Sequence, residues 1–149
     1  MRNVHVTVAT VVERDGKFLF VEETIDGRTV LNQPAGHWDP GETLPQGAIR
    51  ETLEETGWDV ELTALLGVYE YEPGDLDYGF LRFAYAGRAL RHHPERKLDD
   101  GIVRAVWLTP AELERERARH RSPMVMRCVE DFMRGQRNPV EFVAHLTKG

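Results

Sequence analysis

The chain has 149 residues, 41% of them apolar and 30% charged; this is enough to bury one core and argues against disorder. A formal charge of −6 argues against a general nucleic-acid binder, which would carry a basic face, but leaves room for a phosphorylated ligand if a metal supplies the positive charge. Cys128 is the only cysteine, so no intrachain disulfide forms, and a reducing cytoplasmic setting is expected. No apolar run reaches membrane-spanning length, and the N-terminus lacks a signal-peptide core.

In chain order, residues 4–12 and 17–23 are β-branched and alternating, with Asp15-Gly16 between them as a hairpin turn. A second turn, Asp26-Gly27, leads to a short strand at Thr29-Val30-Leu31, and Pro34-Ala35-Gly36 opens a loop that runs through Asp39-Pro40-Gly41. Thr43 and Gln46 form a capping-box pair, Pro45 is tolerated in the first turn, and Gly57 stands where a left-handed cap is expected. A helix therefore spans these limits, with Leu44, Ala48, Ile49 and Leu53 as its expected apolar face. Gly47 lowers its helix preference by about 1 kcal/mol relative to Ala.

Further on, Val60–Tyr71 and Phe80–Gly87 read as strands around a polar loop, and Ile102–Leu108 as another after the polar loop 91–100. Thr109-Pro110 starts a helix whose continuation, Glu112–Arg121, alternates acid and base as a solvated face. A last helix is expected from Ser122 to Arg134, with Val125, Val129, Phe132 and Met133 facing the core. His92-His93 reads as solvent-exposed and Cys128 as inert packing. The reading is a mixed sheet with a few helices in one domain, residues 1–149.

Three carboxylates on the first helix carry the chemistry. Glu51, Glu54 and Glu55 lie at helical offsets that bring like charges together at a cost of about 0.2–0.5 kcal/mol per pair. Such a cluster suits a hard divalent cation, Mg²⁺ or Mn²⁺. Arg82 interrupts an apolar strand and is either a phosphate ligand or an edge-strand charge. His37 and Trp38 follow the loop glycine and could contact a ring, although Trp38 could equally cap the core.

The spacing Gly36-x5-Glu42-x7-Arg50-Glu51, then Glu54-Glu55 and Gly57, resembles the Nudix box at every fixed position, over residues 36–58. Thr52 departs from the usual aliphatic and Trp58 is larger than usual. The stretches Val4–Gly27, Asn32–His37, Phe80–Phe83 and Arg121–Arg137 are similar to a bacterial Nudix phosphatase. The resemblance implies an α+β fold, the Nudix α/β/α sandwich with a mixed sheet, and a cytoplasmic, Mg²⁺-dependent enzyme. The activity it implies is release of terminal phosphate from nucleoside tri- and diphosphates and from hydroxymethylpyrimidine diphosphate. It also implies metal ligation by Glu51, Glu54, Glu55 and the Ala35 carbonyl, with Arg50 holding the glutamates and Glu42 bracing the loop. The general base stays open among Glu51, Glu95, Asp99 and Asp100; Asp99 or Asp100 is favoured as an additional metal ligand. Cleavage at an inner phosphate and nucleotide sensing without turnover are the competing functions. The expected partner is a phosphorylated small molecule, with no nucleic-acid polymer or membrane, and a monomer is expected with a dimer open.

Overall fold

The computed structural model describes residues 3–149. Its centre is strand β1 (Asn3–Arg14), bonded along both edges. On one edge, β6 (Tyr78–His92) runs parallel to it from Asn3↔Tyr78 to Val12↔Gly87. On the other edge lie β4 (Ala35–His37), opposite Thr7–Ala9, and the start of β2 (Lys17–Ile25), opposite Glu13 and Arg14. Strand β5 (Trp58–Tyr71) completes this side by pairing antiparallel with β6. Strands β3 (Arg28–Asn32) and β7 (Ile102–Leu108) flank β2. The sheet is thus mixed, with one long parallel pair in a mostly antiparallel array.

Alternation along β1 sorts the core into faces. Val8 packs with Ala48, Leu65 and Tyr85 beneath helix α1 (Leu44–Thr56). Ala9 and Val11 point the other way, with Leu66, Ala84 and the side chains Val125, Cys128 and Val129 of helix α3 (Met124–Met133). The two helices therefore cover opposite faces, as in an α/β/α sandwich. Cys128 is buried there as packing. A short helix α2 (Pro110–Arg115) is held by a Thr109–Glu112 capping box and anchored by Leu113. Among the described residues, no helix is long and apolar enough to cross a membrane.

Helix α1 has the expected bounds because both ends are chemically marked. Thr43 and Gln46 bond reciprocally, and Gly57 takes φ 77° while its N–H donates to the Leu53 carbonyl. Its buried face is different from the expected one. Ile49 is exposed, and the buried side is Gly47, Ala48, Thr52, Glu55 and Thr56. The Thr52 hydroxyl sits 2.9 Å from that of Thr10 and 2.8 Å from the Ala48 carbonyl, so a polar residue is satisfied where the box pattern has an aliphatic. Gly47 allows close packing, since a Cβ there would meet Glu42 Oε1 at 2.9 Å and Val8 at 3.4 Å.

Other expectations also change. Residues 35–37 form a strand because β1 offers a free edge, a partner no local pattern reveals. The 112–121 segment is helical only through Arg115, followed by a 3-10 turn at Arg117–Arg119. Met133 is exposed, beyond the core stripe of α3. Strand β6 runs past Gly87 through His92, whose ring stacks on Trp58, and His93 is half-buried against Asp59 at 2.6 Å.

Candidate active site

Helix α1 presents Glu51 and Glu55 one turn apart, toward β4. The loop before β7 brings in Asp99, whose backbone N–H is fixed to the Glu54 carbonyl at 3.0 Å. Carboxylate oxygens of Glu51, Glu55 and Asp99 all lie within 4.8 Å of one another. The Ala35 N–H donates to Glu55 Oε1 at 2.9 Å, tying β4 to the helix. Burial, with the neighbouring carboxylates, pushes Glu51 up from its ordinary value. For Glu55, burial comes first, and Glu51, Glu23 and Asp99 add to it; its pKa is pushed up to about 8.

Three carboxylates converging on one point fit a hard divalent ion, and Glu51, Glu55 and Asp99 are the residues that would hold it. Such an ion, when bound, polarises a phosphate oxygen and acidifies bound water. The structure does not bring Glu54 or Asp100 into this cluster. Glu54 turns to Arg50 at 3.3 Å, and Asp100 lies in the exposed turn after Asp99.

Arg50 organises the surroundings. Its Nε and Nη2 donate to the two oxygens of Glu42 at 3.0 and 2.7 Å, and Nη1 donates to Glu51 at 2.8 Å. Nη2 also reaches the His37 carbonyl at 3.3 Å and lies 3.3 Å from Asp39. These bonds raise the Arg50 pKa beyond its ordinary value and hold Glu42 below its own. Arg50→Lys is expected to cut turnover about 100-fold and lower the melting temperature by several degrees. A lysine is a single point charge and cannot span Glu42 and Glu51 together. Steady-state kinetics and a thermal melt check this.

Above the carboxylates opens a cleft of about 360 Å³. Ala35, Gly36, His37, Glu51 and Glu55 line one side, and Arg82, Arg121, Tyr71 and Phe80 line others. Arg82 is 3% exposed and lies between β1 and β5, so the edge-strand reading does not hold. Trp38, one residue past His37, points away from the cleft. Its indole donates to the Glu42 carbonyl and packs beside Leu44, the core-capping alternative. Sequence reasoning missed Glu23, Tyr71, Phe80, Asn32 and Ser122 as cleft residues. Phe80 alone had a signal, because it lies two positions from Arg82 on one strand and so shares its face.

A family model described as the NUDIX domain matches residues 1–128. The chain belongs to the Nudix hydrolase family. The chain is also 38% identical to Phosphatase NudJ of Escherichia coli K12 over 139 residues, 93% of this chain and 90% of that one. A NUDIX hydrolase from Nitrosomonas europaea superposes with a TM-score of 0.94 at 43% identity, covering 97% and 98% of the two chains. An ADP-ribose pyrophosphatase from Streptococcus suis, with a TM-score of 0.66 and 16% identity over 96% of each chain, shares the fold alone. As a Nudix hydrolase the chain acts on a small phosphorylated substrate, and the family generally uses divalent metals.

In this Nudix hydrolase, cation binding is expected to be linked to protons. Glu55 holds its proton up to pH about 8 in the metal-free protein, and that proton must leave when an ion arrives. Mg²⁺ affinity should therefore climb with pH, by up to about tenfold per unit, and level off above pH 8. Calorimetry in buffers of different ionisation enthalpy measures the released proton; a heat independent of buffer at pH 6.5 contradicts it.

Proposed function

We propose that this Nudix hydrolase is a phosphatase. It releases terminal inorganic phosphate from nucleoside tri- and diphosphates and from hydroxymethylpyrimidine diphosphate, with Mg²⁺ as the working ion and Mn²⁺ as a substitute. The observation that carries the reading is the triad of Glu51, Glu55 and Asp99, whose two glutamates line a cleft that also holds Arg82. The likeness to Phosphatase NudJ favours the terminal phosphate over an inner one. Phosphoanhydride hydrolysis asks for an in-line water and positive charge over the phosphoryl oxygens, with little covalent help from protein.

Asp99 is the proposed general base, through the carboxylate oxygen it does not lend to the ion. It is the exposed member of the triad, whereas Glu51 is engaged by Arg50 and Glu95 faces His93. Arg50 positions Glu51 and supports the sheet side of the site through Glu42. Glu54 serves as a further anchor for Arg50, and Ala35 contributes backbone to the metal side. The enzyme is proposed to work as a cytoplasmic monomer on free small molecules.

Product analysis with Mg²⁺ and GTP, GDP, CTP, ADP-ribose or hydroxymethylpyrimidine diphosphate tests this. Free phosphate that disappears with EDTA is the expected result. Pyrophosphate or nucleoside monophosphate made directly from a triphosphate overturns the terminal-phosphate reading in favour of inner-phosphate cleavage. Nucleotide binding without turnover across the panel would instead make the protein a sensor.

A further inference from the structure

The cleft that Glu51 and Glu55 line also contains a buried cation without a counter-ion. Arg82 is 3% exposed, yet the groups it bonds are neutral: Nη1 donates to Gln33 Oε1 at 2.8 Å and to the Cys128 thiol sulfur at 3.9 Å, and Nη2 to Asn32 Oδ1 at 2.9 Å. Its buried Nε has no hydrogen-bond partner. Among the described residues, no carboxylate lies within 4.0 Å of the guanidinium. Burying a charge in this way is unfavourable unless an anion completes it, and Arg82 lines the cleft. A guanidinium also keeps its charge at any working pH and has donors in a geometry suited to phosphate.

Two residues before Arg82 on β6 is Phe80. It shares the face of Arg82 by strand alternation, and its ring stacks on that of Tyr71 with centroids 6.2 Å apart and planes 18° apart. Both rings line the same cleft. Two residues along a strand span about 6.8 Å. A partly exposed aromatic shelf and a buried phosphate receptor therefore stand a fixed distance apart along one strand.

We propose that Arg82 and the Tyr71–Phe80 shelf form a two-part subsite for a planar heteroaromatic ring joined by a short linker to a phosphoryl group, with the ring on the shelf and the phosphoryl group on Arg82. The proposal rests on the cleft being the substrate site and deepens that reading. Substrates are then selected by ring and linker together, and bare polyphosphates lose the shelf. Asn32 and Gln33 hold the guanidinium through neutral amides and so leave its charge available.

Equilibrium binding of CMP, cytidine and inorganic phosphate in the presence of Mg²⁺ tests this separately from turnover, because none of the three contains a phosphoanhydride. CMP should bind at least tenfold more tightly than either fragment. Phe80→Leu should weaken CMP at least fivefold and leave inorganic phosphate within twofold. Arg82→Met should weaken both phosphate-bearing ligands at least tenfold. If Arg82→Met does not fold, Gln33→Glu replaces it: Gln33 lies outside the cleft lining, and a carboxylate there would neutralise the guanidinium from behind. The same tenfold losses are expected. The proposal is overturned if wild-type protein does not bind CMP at millimolar concentration, if Phe80→Leu weakens phosphate as much as CMP, or if both charge variants leave phosphate binding unchanged. A chain that passes this test but releases no phosphate from nucleoside diphosphates keeps the subsite and loses the phosphatase reading.

Discussion

Glu55→Gln is expected to abolish cation-dependent turnover, by at least 1,000-fold on the scale of losses seen for essential catalytic groups, while making the metal-free protein more stable. The two effects share a cause. Glu55 is buried between the Ala35 N–H and two other carboxylates, and its pKa is pushed up to about 8. A carboxyl whose folded-state pKa lies above its unfolded value loses stability for the fold as pH rises from that unfolded value, near 4.5, toward 8. Above that window the charged form costs on the order of 3–5 kcal/mol. Glutamine removes the charge and keeps an oxygen for the Ala35 N–H. In EDTA at pH 8.5 the variant should melt several degrees above wild type, and at pH 4.5 the two should coincide. Added Mg²⁺ should raise the melting temperature of wild type and leave the variant nearly unmoved. A variant less stable than wild type at pH 8.5 would contradict the account of Glu55 as a charge held for a cation.

Gly36→Ala is expected to cost at least 100-fold in turnover with the fold retained. A Cβ at this position would stand 2.2 Å from Glu51 Cδ and 2.3 and 2.4 Å from its two oxygens. The glutamate must swing away, which breaks its bond to Arg50 and removes one of the three carboxylates from the cluster. Displacements of about 1 Å at a reacting site commonly cost about 100-fold. The first glycine of the box is therefore required by the space Glu51 occupies, not by an unusual backbone angle, since Gly36 is not among the glycines with positive φ. Kinetics with a thermal melt separate this from unfolding; near wild-type activity would show that Glu51 has room to move.

These two residues also show how far the sequence could be read. The limits of α1 were legible because capping is local chemistry, a hydroxyl and an amide three residues apart at one end and a glycine at the other. The buried side of the helix was not, because hydrophobicity pointed to Ile49 while Thr52 was rescued by a hydroxyl on β1. Strand β4 and the cleft position of Tyr71 depend on partners brought in by pairing at long range. Glu51 and Glu55 were visible from spacing alone. Asp99 was one of two adjacent carboxylates, and the choice between them follows from a loop tied to the end of α1 through the Glu54 carbonyl. Arg82 stood out as a charge in an apolar strand, but its neutral company, Asn32 and Gln33, comes from a segment fifty residues upstream.

The parallel pairing of β1 with β6 has a consequence for how the molecule comes into being. A strand made in the first moments of synthesis must wait for partners at residues 78–87, and until they arrive its long edge is unpaired. Local hairpins such as β1–β2 can close within microseconds, but a parallel pair across most of the chain must first meet the entropy of a large loop. The slow step of folding should then be the docking of β6, and it is the same event that brings Arg82 into the cleft lined by Glu51 and Glu55. Ribosome-bound chains truncated before residue 78 would carry an intact Nudix box on an unfinished protein, and the β1 amides that bond to β6 would gain protection from exchange only once β6 has emerged.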